Sequence, residues 1–272
     1  MGYLTTEKKK VTVKTFVEMK RDGNKIAMLT AYDYTTARLI DEAGVDSILV
    51  GDSACNVMLG NDSTLPITLD EMIVYARGVA RGCQRALVVC DMPFGSYQVS
   101  PEEGVRNAVR LIRETGVDAV KLEGGEEVAP TIERIVNAGI PVVGHLGLTP
   151  QSIHKFGGYG VRARSEVEAT KLIADAQALE KAGCFAVVLE KIPASVAQQV
   201  TDLLSVPTIG IGAGSHCDGQ VLVYADAMGL TQGFEPKFLR EFAAMGEELR
   251  RGVRAYCEAV KGDEFPNESE SY

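Results

Sequence analysis

Short apolar runs alternate along the chain with longer segments in which apolar residues recur every three or four positions. The runs are rich in Val, Ile and Leu and lack the alternation of a half-exposed strand, so they predict strands that are buried on both faces. They cover residues 26–30, 47–52, 86–91, 118–125, 141–145, 185–190 and 207–211, with an eighth within 221–230.

The segments between these runs follow the period of a helix. Helices are predicted over residues 34–43, 101–115, 126–138, 165–182 and 194–204, with one more before the first strand, over 12–20, and another over 238–261. A further helix ends at residue 81 and starts at either Thr68 or Asp70. Signals at the ends agree with these limits. Ser100 and Pro101 suit a helix start, and Gly44 suits a helix stop.

Eight strands that alternate with helices at a spacing of roughly 25 to 35 residues form βα units. With a length of 272 residues, this rhythm predicts a single (β/α)8 barrel domain over residues 1–272. The barrel spans about 24–235 and carries an N-terminal helix that plugs its bottom, a C-terminal helical extension, and a loose acidic tail over 262–272. A doubly wound open sheet is the alternative fold.

Composition narrows the functional classes. Apolar residues make up 46 % of the chain and charged residues 24 %, as in ordinary globular proteins. The net charge of −9 argues against non-specific nucleic-acid binding. No apolar run approaches the ~20 residues of a membrane span. Six cysteines without a C-x-x-C pair predict reduced thiols in the cytoplasm.

Acidic residues stand at the ends of four predicted strands, and these ends meet at one rim of a barrel, where active sites lie. The four are Asp52, Asp91, Glu123 and Glu190. Three carboxylates on successive strands, Asp52, Asp91 and Glu123, predict a site for a hard divalent cation, Mg²⁺ or Mn²⁺. The alternative is that some of these acids only cap the following helices.

Other side chains at the same rim supply further chemistry. Glu190, farther round the rim, is the candidate base, unless it pairs with Lys191. Lys121 lies two residues before Glu123 on one strand, so the two share a face. Its amine could bind a substrate carboxylate, form a Schiff base or only make a structural ion pair. His145, Tyr32 and Ser53 are further candidates for substrate contacts, and the glycine-rich residues 209–214 predict a turn rather than a nucleotide site.

Eight longer runs around these residues form a pattern of their own. The runs are Thr-Ala-Tyr-Asp-Tyr (30–34), Val-Gly-Asp-Ser (50–53), Gly-Asn-Asp-Ser-Thr-Leu-Pro (60–66), Asp-Met-Pro-Phe (91–94), Val-Lys-Leu-Glu-Gly-Gly (120–125), Gly-His-Leu-Gly-Leu-Thr-Pro-Gln (144–151), Phe-Gly-Gly-Tyr (156–159) and Ile-Gly-Ile-Gly-Ala-Gly (209–214). Together they resemble the ketopantoate hydroxymethyltransferase family, and the resemblance extends from about residue 16 to residue 261.

The resemblance implies that a hydroxymethyl group passes from 5,10-methylenetetrahydrofolate to 3-methyl-2-oxobutanoate through an Mg²⁺-stabilised enolate. It implies Asp52, Asp91 and Glu123 at Mg²⁺, and Asp52, Ser53, Asp91 and Lys121 at the oxo acid. It also implies Glu190 as the proton acceptor, and assembly as a decamer of two rings. Gly160 and the pair Ala54-Cys55 depart from the family pattern, which expects lysine and Leu-Gly there.

Two other functions stay open on these residues. A magnesium-dependent lyase or mutase of phosphoenolpyruvate- or isocitrate-like acids would use a similar barrel, but the Lys-Lys-Cys-Gly-His signature of those lyases is absent. A barrel that binds an oxo acid without catalysis is the non-enzymatic alternative, and it would need no base.

Overall fold

The computed structural model describes residues 9–233 and 235–272. The parts of the predicted domain at residues 1–8 and 234 lie outside the described residues. The chain divides into two compact units at the bond between Leu222 and Val223. The prediction of one domain over the whole chain stays a prediction.

Eight parallel strands form a closed barrel in the first unit, each paired with the next and β8 with β1. The strands are β1 (Ile26–Thr30), β2 (Ser47–Val50), β3 (Leu87–Asp91), β4 (Ala119–Glu123), β5 (Val142–Gly147), β6 (Ala186–Glu190), β7 (Thr208–Ile211) and β8 (Gly219–Leu222). The (β/α)8 barrel predicted from the sequence is therefore confirmed, and the open sheet is excluded.

The helices of the first unit follow the predicted order. They are α1 (Val13–Arg21), α2 (Tyr34–Ala43), α3 (Ala54–Val57), α4 (Leu69–Gly82), α5 (Pro101–Thr115), α6 (Ala129–Asn137), α7 (Ile153–Phe156), α8 (Glu166–Lys181) and α9 (Ala194–Leu203). Short 3-10 turns cover Glu126–Val128 and Pro150–Ser152. The helices α3 and α7 lie between the predicted elements, where the sequence predicted neither a helix nor a strand.

Helix starts and stops have local causes. Thr12 caps α1 through a reciprocal pair of hydrogen bonds with Thr15, and Ser100 accepts a hydrogen bond from the N–H of Glu103 at the start of α5. Gly44 ends α2 with φ at 97°, in the left-handed region that glycine adopts without strain.

The bottom of the barrel is closed by α1. Phe16 is 1 % exposed and packs edge-on against Phe185, with the ring centroids 5.8 Å apart. It belongs to a core cluster that also contains inward-facing strand residues such as Val89 and Val143. The predicted plug is thus present, and the opposite rim is left for polar side chains.

The second unit holds α10 (Tyr224–Ala227), α11 (Met245–Lys261) and a 3-10 turn, Glu268–Glu270. Two predictions were wrong here. The run 221–230 contributes only its first two residues to β8, and four of its other eight residues form α10. The helix predicted from residue 238 begins at Met245, because the N–H groups of Phe242 and Met245 bond to the carbonyls of Ala227 and Met228 instead of completing helical turns.

None of the helices in the described ranges is both long and apolar enough to cross a bilayer.

Candidate active site

The side-chain alternation of the strands places the candidate residues on the inner face of the barrel. Core residues Val89, Ala119, Val143 and Val188 pack in one cluster. Because side chains two apart share a face, the residues two or four positions later point the same way, at the carboxyl ends of β3 to β6. These residues are Asp91, Lys121, Glu123, His145 and Glu190.

Two aspartates lie next to each other at this rim. Asp91 ends β3, and its Oδ2 accepts a hydrogen bond of 2.9 Å from the backbone N–H of Asp52, just beyond β2. Both side chains are buried, with residue exposures of 3 % and 4 %. Burial, and then the charges of Asp91 and Glu123, raise the pKa of Asp52 well above its usual value. The negative charge on Asp52 is therefore disfavoured in the protein without a bound cation.

Lys121 is the cation among these acids. Its Nζ lies 2.9 Å from Oδ1 of Asp91 and 3.0 Å from Nδ1 of His145. Burial lowers the pKa of Lys121, but the charges of Asp91, Glu123 and Asp52 outweigh burial and hold that pKa above its usual value. Lys121 is thus an ammonium ion, so the structural ion pair is real, and a Schiff base would first require a neutral amine.

His145 connects Lys121 to the candidate base. Burial and the Lys121 charge lower the pKa of His145, so the ring is neutral. An ammonium can only donate, so Nδ1 accepts from Lys121 and the ring proton lies on Nε2. That nitrogen is 3.3 Å from Oε2 of Glu190. The order along this face is therefore lysine, neutral histidine and glutamate.

Glu190 is the accessible end of the array. Its side chain is 18 % exposed, whereas those of His145 and Lys121 are 4 % and 3 % exposed. The alternative pairing with Lys191 is not present, because Nζ of Lys191 donates to the carbonyl oxygen of Tyr159. A substrate at the rim can therefore reach this carboxylate.

Tyr32 and Ser53 meet at the same rim. The phenol oxygen of Tyr32 and Oγ of Ser53 are 2.7 Å apart. Ser53 follows Asp52 directly, so these hydroxyls adjoin the aspartate pair. All eight candidate residues thus come from the carboxyl ends of the first six strands.

Two buried residues of the site were not predicted. Gln151, in the loop after β5, donates from Nε2 to Oδ2 of Asp52 at 3.0 Å and from its backbone N–H to Oε2 of Glu123 at 2.9 Å. Tyr97, in the loop after β3, donates to Oε1 of Gln151 at 2.8 Å. Neither residue is charged or ends a predicted strand, so the sequence did not mark it as part of the site. Only the family-like run 144–151 contained Gln151.

The donor chemistry fits a hard divalent cation. Among the described residues, four buried side-chain polar atoms make no hydrogen bond of good geometry, and three of them lie here: Oδ1 of Asp91, Oε1 of Glu123 and Nε2 of His145. Of these, Oδ1 of Asp91 faces the ammonium of Lys121, and Oε1 of Glu123 lies 3.3 Å from Nδ1 of His145. Carboxylate oxygens of this kind are what Mg²⁺ binds. Across residues 9–233 and 235–272, however, no three acidic, His or Cys side chains already stand in a metal-binding arrangement. Asp52, Asp91 and Glu123 as a ligand set stay a prediction.

The titration of Glu123 gives a pH-dependent prediction for the metal-free protein. Burial is the largest cause that raises the pKa of Glu123, to about 7. Because the folded pKa lies above the unfolded value, ionisation destabilises the fold, and stability falls as pH rises from about 4.5 to 7. Glu123→Gln removes this loss. The difference in free energy of unfolding, variant minus wild type, should therefore be on the order of 3 kcal/mol more favourable at pH 8 than at pH 4.5.

Urea unfolding of both proteins in excess chelator checks this prediction. An equal free-energy difference between variant and wild type at the two pH values would contradict it. Glu133→Gln, at an exposed position of α6, is the matched control and should show no pH-dependent difference.

A cavity of about 700 Å³ lies on the other side of β4 and β5. Its walls include Gly124 and Leu146, which alternate with the inward-facing Glu123 and His145, and Lys171 and Leu172 of α8. None of the eight candidate residues lines it. The cavity is therefore separate from the acidic group.

The structure also describes the glycine-rich run 209–214 and the two departures from the family pattern. Gly212 and Gly214 have φ of 63° and 84° and form the predicted turn after β7. Ala54 and Cys55 are buried in α3. A side chain at Gly160 would meet nothing within 4 Å, so the fold does not require glycine there.

Comparison with known proteins shows which family the chain is similar to. A family model described as ketopantoate hydroxymethyltransferase matches residues 10–268. A 3-methyl-2-oxobutanoate hydroxymethyltransferase of Flavobacterium johnsoniae is 59 % identical over 264 residues, which is 97 % of each chain.

Solved structures share the fold at low identity. A 2,3-dimethylmalate lyase of the PEP mutase/isocitrate lyase superfamily has a TM-score of 0.59 and 17 % identity, with coverage of 96 % of this chain and 91 % of its own. A phosphonopyruvate hydrolase has a TM-score of 0.61 and 11 % identity, with coverage of 95 % and 92 %. These similarities show the barrel alone.

Proposed function

Because the chain belongs to the ketopantoate hydroxymethyltransferase family, we propose that it takes the one-carbon unit of 5,10-methylenetetrahydrofolate and joins it to C3 of 3-methyl-2-oxobutanoate. The product is 2-dehydropantoate, on the route to pantothenate. The chain is an enzyme of the transferase class, as its relatives are.

One observation carries the proposed mechanism. Glu190 is the accessible end of a buried array in which Lys121 and His145 stand in contact behind it. Ionised or hydrogen-bonded groups of this kind are costly to bury unless they are paired or used in chemistry. A carboxylate within reach of substrate and backed by a neutral imidazole suits proton abstraction next to a carbonyl.

Proton transfer and carbon–carbon bond formation balance as follows. Glu190 accepts the proton from C3 of the oxo acid, and the electron pair stays on the substrate as an enolate. C3 then bonds to the methylene carbon of the folate, whose two carbon–nitrogen bonds break. One water supplies the hydroxyl group. Its other proton and the proton held by Glu190 go to the two folate nitrogens, so tetrahydrofolate leaves and Glu190 is again a carboxylate.

We assign the remaining residues by their charge and position. Asp52, Asp91 and Glu123 would hold Mg²⁺, which when bound supplies a Lewis acid that draws electron density from the 2-oxo group. Lys121 places a positive charge beside the developing negative charge. Ser53 and Tyr32 offer hydroxyls to the substrate, and Nε2 of His145 lies 3.3 Å from the carboxylate of the base. The phosphonopyruvate hydrolase, which has the same fold, was crystallised with oxalate and Mg²⁺.

Product analysis tests the proposal. With 3-methyl-2-oxobutanoate, 5,10-methylenetetrahydrofolate and Mg²⁺, mass spectrometry should detect 2-dehydropantoate, and omission of the folate should abolish it. Cleavage of a dicarboxylic acid without folate would instead support a lyase. Binding of the oxo acid with neither product would support the non-catalytic barrel.

We also propose a decameric assembly in the cytoplasm, as the family resemblance implies. All six cysteines are free thiols, which agrees with a reducing compartment. Light scattering should give a mass ten times that of one chain. A monomeric mass at micromolar concentration would contradict the assembly without affecting the proposed chemistry.

A further inference from the structure

We propose that Gln151 is a positioning residue that holds Asp52 and Glu123 in place for a divalent cation. This inference rests on the metal role proposed above. It concerns a residue that neither touches the reacting atoms nor carries a charge, and that fixes two carboxylates contributed by different strands.

Gln151 reaches both acids at once. Its backbone N–H donates to Oε2 of Glu123 at 2.9 Å, and its side-chain Nε2 donates to Oδ2 of Asp52 at 3.0 Å. Each bond takes one oxygen of its carboxylate. Oε1 of Glu123 makes no hydrogen bond, although it lies 3.3 Å from Nδ1 of His145. The carboxylates are thereby oriented while an oxygen of Glu123 stays available to a ligand.

The amide of Gln151 can adopt only one orientation. The same Nε2 also donates to the backbone carbonyl oxygen of Met92 at 3.0 Å, and a carbonyl oxygen can only accept, so this atom is the amide nitrogen. On its other side, Oε1 accepts from the hydroxyl of Tyr97 at 2.8 Å and from Nε2 of Gln98 at 3.1 Å. All four side-chain hydrogen-bonding positions are therefore filled.

Tyr97 joins the two halves of this network. Its phenol oxygen accepts the backbone N–H of Glu123 at 3.0 Å while its hydroxyl donates to Gln151. Both residues are nearly inaccessible, with exposures of 1 % for Tyr97 and 6 % for Gln151. The end of β4 and the loop after β5 are thus held together next to the acidic group.

Electrostatics explain why an amide suits this position. Gln151 lies between two buried carboxylates, those of Asp52 and Glu123, so a donor at this position helps to keep them together. A second ammonium would satisfy them but would compete with a metal ion for the same oxygens. An amide donates a hydrogen bond without net charge, so it orients the ligands and leaves their charge for the cation.

Calorimetric binding of Mn²⁺ to the metal-free full-length protein, without substrate, tests the inference. Gln151→Met keeps the length of the side chain and the backbone N–H but loses the bond to Asp52. We expect its Mn²⁺ affinity to fall about 10- to 100-fold, the usual effect of removing a partner of a metal ligand. Gln220→Met is the matched control, because the side chain of Gln220, in β8, donates to the carbonyl oxygen of Gly214 and not to an acid of the site. The Mn²⁺ affinity of this variant should stay within about 3-fold of wild type.

A second variant keeps the test decisive if Gln151→Met does not fold. Tyr97→Phe removes the hydroxyl that supports both Gln151 and Glu123, and we expect Mn²⁺ affinity to fall about 10-fold. Wild-type Mn²⁺ affinity in whichever variants fold, even with lowered stability, would overturn the inference and leave the proposed function intact. A wild-type protein that binds no Mn²⁺ would overturn the metal role and this inference together.

Discussion

Glu190→Gln should bind 3-methyl-2-oxobutanoate nearly as wild type does and lose proton exchange at C3 by about 10²- to 10⁴-fold. A carboxamide has the size of a carboxylate and keeps an oxygen that can face Nε2 of His145, but it cannot take up a proton. Exchange in D₂O, followed by the NMR signal of the C3 proton with Mg²⁺ present and without folate, measures this step alone.

Glu133→Gln again provides the comparison, because that glutamate is exposed on α6 and should exchange as wild type does. If Glu190→Gln exchanged within about threefold of wild type, Glu190 would not be the base. If it failed to bind the oxo acid, its main role would be in binding.

Asp91→Ala should have the second large effect, on both metal binding and stability. Asp91 is a proposed ligand, so we expect Mg²⁺ affinity to fall more than about 100-fold, beyond the effect of losing a ligand's partner. The substitution also leaves the buried Lys121 without its 2.9 Å ion pair and the N–H of Asp52 without its acceptor. Removing one partner of a buried pair costs about 3–5 kcal/mol.

Calorimetry and urea unfolding separate the two effects. Asp91→Asn keeps an acceptor for the N–H of Asp52, so it should lose less stability than Asp91→Ala while still binding Mg²⁺ weakly. Asp118→Ala, which breaks the half-exposed ion pair with Lys10, should lower stability without changing Mg²⁺ affinity. Wild-type Mg²⁺ binding by Asp91→Ala would remove Asp91 from the ligand set.

The sequence predicted the barrel and the rim residues for the same physical reason. Strands buried on both faces have a continuous apolar pattern, so a charged residue at the end of such a run marks the rim. Lys121 and Glu123 on β4 were therefore recognisable from their spacing alone, and Glu190 from its place at the end of β6. Their side chains do share the inner face of the barrel.

Features that depend on long-range contacts were not predictable in this way. Gln151 contacts Asp52, 99 positions earlier, and a glutamine in a glycine-rich loop carries no signal for that contact. The predicted position of β8 was wrong for a similar reason, because a four-residue strand that begins with Gly219 has too few apolar residues to form a recognisable run. The early start predicted for α11 came from apolar residues whose N–H groups bond across to Ala227 and Met228.

The central claim is that the strand-end acids bind one divalent ion and that Glu190 then removes the C3 proton. Exchange at C3 of 3-methyl-2-oxobutanoate by the wild-type protein, measured without folate while Mg²⁺ is titrated against a chelator, tests it most directly. We predict exchange that appears with Mg²⁺ and saturates at one ion per chain. Equal exchange in excess chelator, or no exchange at saturating Mg²⁺, would contradict the account.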